Sequence, residues 1–98
     1  MIVKYTHHFL KKLEEIFAES EYILRYEKGQ FRSGYCVLKA TKIVIVNKYF
    51  PLEGRINSLV DILRNLEIDS EAFSDKTKKF YLELMSQDDS AEVKEASS

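Results

Sequence analysis

Two adjacent histidines, one cysteine and a string of cations are the side chains in this sequence that could do chemistry. His7 and His8 are the only imidazoles. A metal would need both on one face, yet neighbouring helix positions diverge by about 100°. No His-x-x-x-His and no Cys-x-x-Cys spacing accompanies them, so no metal site is expected. Cys36 lies between Tyr35 and Val37 in a run of strand character. A catalytic thiol needs a helix N-terminus or a base beside it, and the reading here is a packed strand cysteine. Gly29 and Gly34 bracket a loop containing Arg32 and Ser33. A phosphate-binding loop would continue with Lys and Ser or Thr, then a helix. Here Tyr35 and Cys36 come next, within a strand. Gly29 therefore reads as a turn, and Gly34 as a bulge or a close approach of backbone. No Ser-His-Asp set and no His-Glu-x-x-His motif is present.

What remains is cationic. Arg25, Lys28, Arg32, Ser33, Lys48 and Arg55 are the candidate ligand-binding residues. Arg32 and Ser33 suit an anion because they sit in a loop held by flanking strands. Lys48 and Arg55 stand between a strand end and a helix start, where backbone N–H groups attract anions. Capping, with Glu53 on the helix dipole, explains the same cluster without a ligand. Residues 22–50 carry six basic side chains against one acid, and residues 67–98 carry four against nine. Such a split suggests a polyanionic partner, or an acidic tail folding back on the basic part.

The elements that must position these groups can be read from periodicity. Thr6 is placed to cap a first helix whose apolar face is Phe9, Leu10, Leu13, Ile16 and Phe17. Period-two alternation begins at Tyr22 and gives a strand to Glu27. A second strand starts between Phe31 and Gly34, and Ala40-Thr41 turns the chain into a third, Lys42–Asn47. That third strand is apolar on both faces and should be covered on both. Pro51 suits a helix start, and Leu52, Ile56, Leu59, Val60, Leu63 and Leu66 form the stripe of a second helix. Asp69 or Ser70 is expected to cap a third helix running to about Met85. The order is α-β-β-β-α-α, an α+β fold. Consecutive strands usually pair, so a three-stranded antiparallel sheet with helices on one face is expected. Residues 1–85 form the single domain and 86–98 an acidic tail without apolar periodicity, expected to be disordered.

At 98 residues the chain makes one domain with a modest core. A single cysteine excludes an internal disulfide and favours a reducing compartment. No run approaches the roughly 20 apolar residues of a membrane span. The N-terminus lacks a signal-peptide pattern, so a cytoplasmic location without membrane contact is expected.

The order α-β-β-β-α matches the topology of double-stranded-RNA-binding domains, and Tyr and Phe among the cations could stack on bases. The second helix lacks the Lys-rich start that such domains turn to phosphates. The pattern Y-x-x-G-x-F-x-S-G-Y-C-V-L…V-N-K-Y-F-P-L-E-G-R-I-N-S-L, over residues 22–60, resembles a small uncharacterised bacterial family. That resemblance implies no activity and carries over no site residues.

The expectation is therefore a small non-enzymatic module without a cofactor. It would act by binding a partner or by forming a homodimer through an apolar sheet face. Nucleic-acid binding by residues 22–50 is the alternative, and an enzyme using Cys36 the second alternative.

Overall fold

Helix α1, His7–Glu19, opens the fold because its sequence caps itself. In this computed structural model, which describes residues 3–28 and 34–97 (side chains only as far as 86), the Thr6 hydroxyl accepts from the Phe9 N–H at 3.1 Å. Phe9, Leu10, Leu13, Ile16 and Phe17 are buried on one face, as their spacing requires. Strands β1 (Ile23–Glu27), β2 (Tyr35–Leu38) and β3 (Ile43–Asn47) come next. Helix α2 (Leu52–Asn65), a 3₁₀ turn (Ser70–Ala72) and helix α3 (Asp75–Ser97) complete the chain.

The α+β order is as expected, but the sheet is mixed rather than antiparallel. Its strand order is β1-β3-β2. β3 pairs antiparallel with β2, Val37 opposite Val44, and parallel with β1, Leu24 opposite Val44. The reason lies in β3 itself. Ile-Val-Ile-Val is the most apolar strand in the chain, and the central place gives it a ladder on each side. The last residue of β1 and the residue before β2 both bond to the same end of β3. The Asn47 N–H donates to the Gly34 carbonyl at 2.8 Å, and the Lys48 N–H to the Glu27 carbonyl at 3.0 Å. β1 and β2 thus become the two edges.

The core forms on one side of this sheet. Val44 and Val46 are fully buried against Leu13, Ile16, Ile56, Leu59 and Leu63, with Leu24, Tyr26, Tyr35 and Val37 packed around them. α3 packs on α1, where the Phe9 and Phe80 rings meet edge to face at 5.4 Å. This helix begins later than Asp69 or Ser70. Asp69 caps only the 3₁₀ turn, accepting from the Glu71 N–H. The α3 backbone is helical to Ser97, beyond Met85, where the apolar periodicity ends. No helix among the described residues is long and apolar enough to cross a membrane.

The loops are fixed by particular residues. Gly34 has φ +82°, and a Cβ there would lie 1.9 Å from the Phe50 ring. It is the close approach that its place before β2 suggested. Gly54 touches the same ring, its hypothetical Cβ 3.2 Å away. Phe50 is thus gripped between two glycines. The β2–β3 connection is a turn over residues 39–42, closed by Lys42 N–H to Lys39 O at 3.3 Å. Lys42 has φ 56°, so a lysine takes the left-handed position that glycine or asparagine usually fills.

Candidate functional site

Alternation along the strands decides what the far side of the sheet displays. Val44 and Val46 face the helices, so Ile43, Ile45 and Asn47 face away. The registers place Ile23 and Leu38 beside Ile43, and Arg25 and Cys36 beside Ile45. The result is two apolar rows, Ile23–Ile43–Leu38 and Arg25–Ile45–Cys36, then a polar row of Glu27 and Asn47. Ile23 is 59% and Leu38 43% exposed, while Ile43, Ile45 and Cys36 are partly exposed. Large aliphatic side chains grouped on an open face form a contiguous apolar patch, the kind of surface on which a partner can dock. All three helices lie on the opposite side.

The face is also electrically self-contained. Arg25 Nε lies 3.0 Å from Glu27 Oε2, both side chains about half exposed. Such a pair adds little to stability. Its consequence is that the face carries no net charge.

The other candidate cations are divided between the ends of the sheet. Because β1 and β3 run parallel with Glu27 opposite Asn47, Lys28, Lys48 and Arg55 come to one end. Lys39 and Lys42 flank the turn at the other. Arg32 and Ser33, and the turn assigned to Gly29, lie outside the described residues. Arg55 is committed to the β3–α2 loop. Its Nε donates to the Phe50 carbonyl at 3.1 Å, its Nη2 to the Lys48 carbonyl at 2.7 Å, and its guanidinium stacks 4.8 Å from the Tyr26 ring centre. The Lys48 ammonium lies 5.3 Å from the centre of the Tyr49 ring. Lys42 donates to Glu21 at 2.8 Å, a bond that raises its pKa. Among the described residues the cations are thus divided between the two ends of the sheet, with Lys42, Lys48 and Arg55 held by local partners.

The thiol and the imidazoles are kept apart by the sheet. Cys36 is on the open face, and α1, which starts with His7 and His8, lies behind it. Both histidines are exposed. Among the described residues, no group of three or more His, Cys, Asp or Glu side chains could hold a metal ion.

One cleft escaped the sequence reading because three separate elements build it. Val3 and Tyr5, Tyr35 of β2, and Phe50, Asn57 and Asp61 at or on α2 line an open volume of about 600 Å³. The Tyr35 hydroxyl donates to the Asp61 carboxylate, and the Tyr5 hydroxyl to Asn57 Oδ1 at 2.8 Å. The hydrogen bond to Asp61, with some burial, pushes the Tyr35 phenol up. A phenol held protonated by a carboxylate is a poor base near neutral pH. These groups satisfy one another, and the cleft reads as a seam between β2 and α2.

Neither a family model, nor a curated protein, nor a solved structure matches the chain. The resemblance over residues 22–60 accordingly assigns no residue a role, and function rests on the geometry alone.

Proposed function

We propose that the protein is a small non-enzymatic docking module that pairs with a second copy of itself through the open face of its sheet. The observation that carries the proposal is the pair of apolar rows at Ile23, Ile43, Leu38, Ile45 and Cys36, the first and third exposed and the others partly so, while every helix lies behind them. A second copy fits this surface by symmetry. A two-fold axis between the rows lays Ile43 on Ile45 and Leu38 on Cys36 of the other copy, and Ile23 along the aliphatic stem of Arg25. The same patch then serves both copies, as in an isologous interface. The Arg25–Glu27 pair keeps its own charges matched at the rim, so like charges do not repel.

The size of the face sets the strength. Three strands spaced about 4.8 Å apart, each about 16 Å long, present a footprint of roughly 250 Å². A standard interface buries about 800 Å² per partner, so the pair belongs to the weak, reversible class. The single Cys36, which leaves no internal disulfide, supports a reducing, cytoplasmic setting.

Sedimentation equilibrium of the native chain and of Ile45→Lys tests this. The native chain should approach dimer mass as its concentration rises to about 1 mM. Ile45→Lys should remain monomeric with unchanged circular dichroism. A native chain that stays monomeric throughout, or a variant that associates equally well, rejects the proposal.

A further inference from the structure

The free edge of β1 offers a second surface, which meets the open face at Ile23. In a parallel ladder alternate residues of a strand bond its neighbour. The Ile23 N–H donates to the Lys42 carbonyl at 2.8 Å, and the Glu27 carbonyl accepts from the Lys48 N–H at 3.0 Å. Odd-numbered residues of β1 are therefore engaged with β3. The N–H and C=O groups of Leu24 and Tyr26 point the other way, off the sheet. β1 is the last strand on that side, so no strand among the described residues pairs with them. β1 has no proline and no bulge, and its two charged side chains, Arg25 and Glu27, pair with each other on the open face.

A groove of about 490 Å³ runs beside this edge, between β1 and α1. Phe17, Ala18, Tyr22 and Leu24 give it an apolar lining. Glu14 and Glu21 each add a carboxylate to its wall. Glu14 already accepts from the Tyr26 hydroxyl, and Glu21 from Lys42. An edge of unpaired backbone groups beside an apolar groove is the arrangement that accepts an added strand.

We infer that the β1 edge binds an extended peptide segment of a partner protein. Apolar side chains at alternate positions of the segment would enter the groove, and flanking Lys or Arg side chains would meet Glu14 and Glu21. Main-chain bonds to Leu24 and Tyr26 supply affinity, the groove selects alternate apolar residues, and the two acids select cationic flanks.

The acetylated heptapeptide Lys-Thr-Val-Thr-Val-Thr-Lys, with its C-terminus amidated, is a direct probe. Its lysines and valines share one face. Binding should slow amide exchange at Leu24 and Tyr26 at least tenfold and leave that of Arg25, already in the ladder, unchanged. N-methylating one alternate set of peptide amides should abolish the effect, and methylating the other set should not, because only one edge of the peptide faces β1. Ala18→Arg, at an exposed helical position in the groove, should weaken binding about tenfold without unfolding α1. Unchanged exchange at peptide concentrations of about 1 mM, or equal loss with either methylated set, would overturn the inference. Leu24 and Tyr26 amides that become protected with protein concentration alone would also overturn it, by showing a second copy on the edge. Loss of dimerisation by Ile45→Lys bears only on the open face and leaves this test intact.

Discussion

At the scale of single residues, Gly34 and Glu19 show how much of this fold hangs on one atom or one carboxylate. Gly34 combines a φ of +82° with a ring 1.9 Å from where its Cβ would stand. Gly34→Ala adds left-handed strain of about 1–2 kcal/mol to overpacking of about 1–3 kcal/mol. A loss of about 2–5 kcal/mol is expected, read from urea unfolding. That a glycine was needed here was legible, since it opens a strand. That Phe50 is its partner was not, because the two meet only when the loop after β3 folds back. Glu19 is a similar case. Its carboxylate accepts from the Ser74 N–H at 2.6 Å and the Thr77 hydroxyl at 2.6 Å, while the Ser74 hydroxyl faces the Thr77 N–H. It does from α1 what a capping-box glutamate does within one helix. The bonds from Thr77, then Ser74, hold its pKa below the ordinary value of 4.5. With the folded value depressed, the stabilisation is complete above the unfolded pKa and is lost as pH falls through the folded one. Glu19→Gln should therefore lower the melting temperature at pH 7, and the difference from the native chain should shrink by about pH 3. An equal difference at both pH values would mean that the charge of Glu19 is irrelevant to the cap. No local pattern announces a cap formed across 55 residues of sequence.

At the scale of elements, periodicity sufficed for what each segment is and not for where it lies. The strands were legible because apolar side chains alternate at Tyr22–Glu27 and run unbroken at Tyr35–Leu38 and Ile43–Val46, and α1 and α2 because their stripes recur at helical spacing. Strand order was not legible. It depends on β3 gaining a ladder on each side, which is a long-range effect. The late start of α3 has a similar cause, since Asp69 and Ser74 are both good caps and only the contact with Glu19 favours the second. Arg55 was legible as a polar group at a helix start. Its role in holding the Lys48 and Phe50 carbonyls was not. Arg55→Ala should cost about 1.5–3 kcal/mol, the usual range for hydrogen bonds from a charged donor, measured by urea unfolding. The two faces of β3 give a sharper test. Ile45→Lys places its charge in solvent and should leave the thermal midpoint nearly unchanged. Val44→Lys, one residue earlier, puts a charge into the core and should prevent folding. Similar midpoints for the two would mean that the faces are wrongly assigned.

At the scale of the whole molecule, the charge split read from the sequence meets a different arrangement in space. The described cations of residues 22–50 occupy both ends of the sheet and its middle; Arg25 and Lys42 each have a partner, as does Arg55 beyond them. The apolar rows are the larger feature, and they became visible only once the register showed which residues alternate outward. The sequence pointed only to an apolar sheet face, and burial of Val44 and Val46 shows which residues it holds. The most direct test of the central claim, that this face joins two copies, is a dilution series followed by methyl NMR. The signals of Ile23, Leu38, Ile43 and Ile45 should shift together with concentration along one monomer–dimer curve, while those of buried Ile16, Ile56 and Ile62 stay fixed. Face methyls that do not move up to about 1 mM, or shifts centred on any other surface, would contradict it.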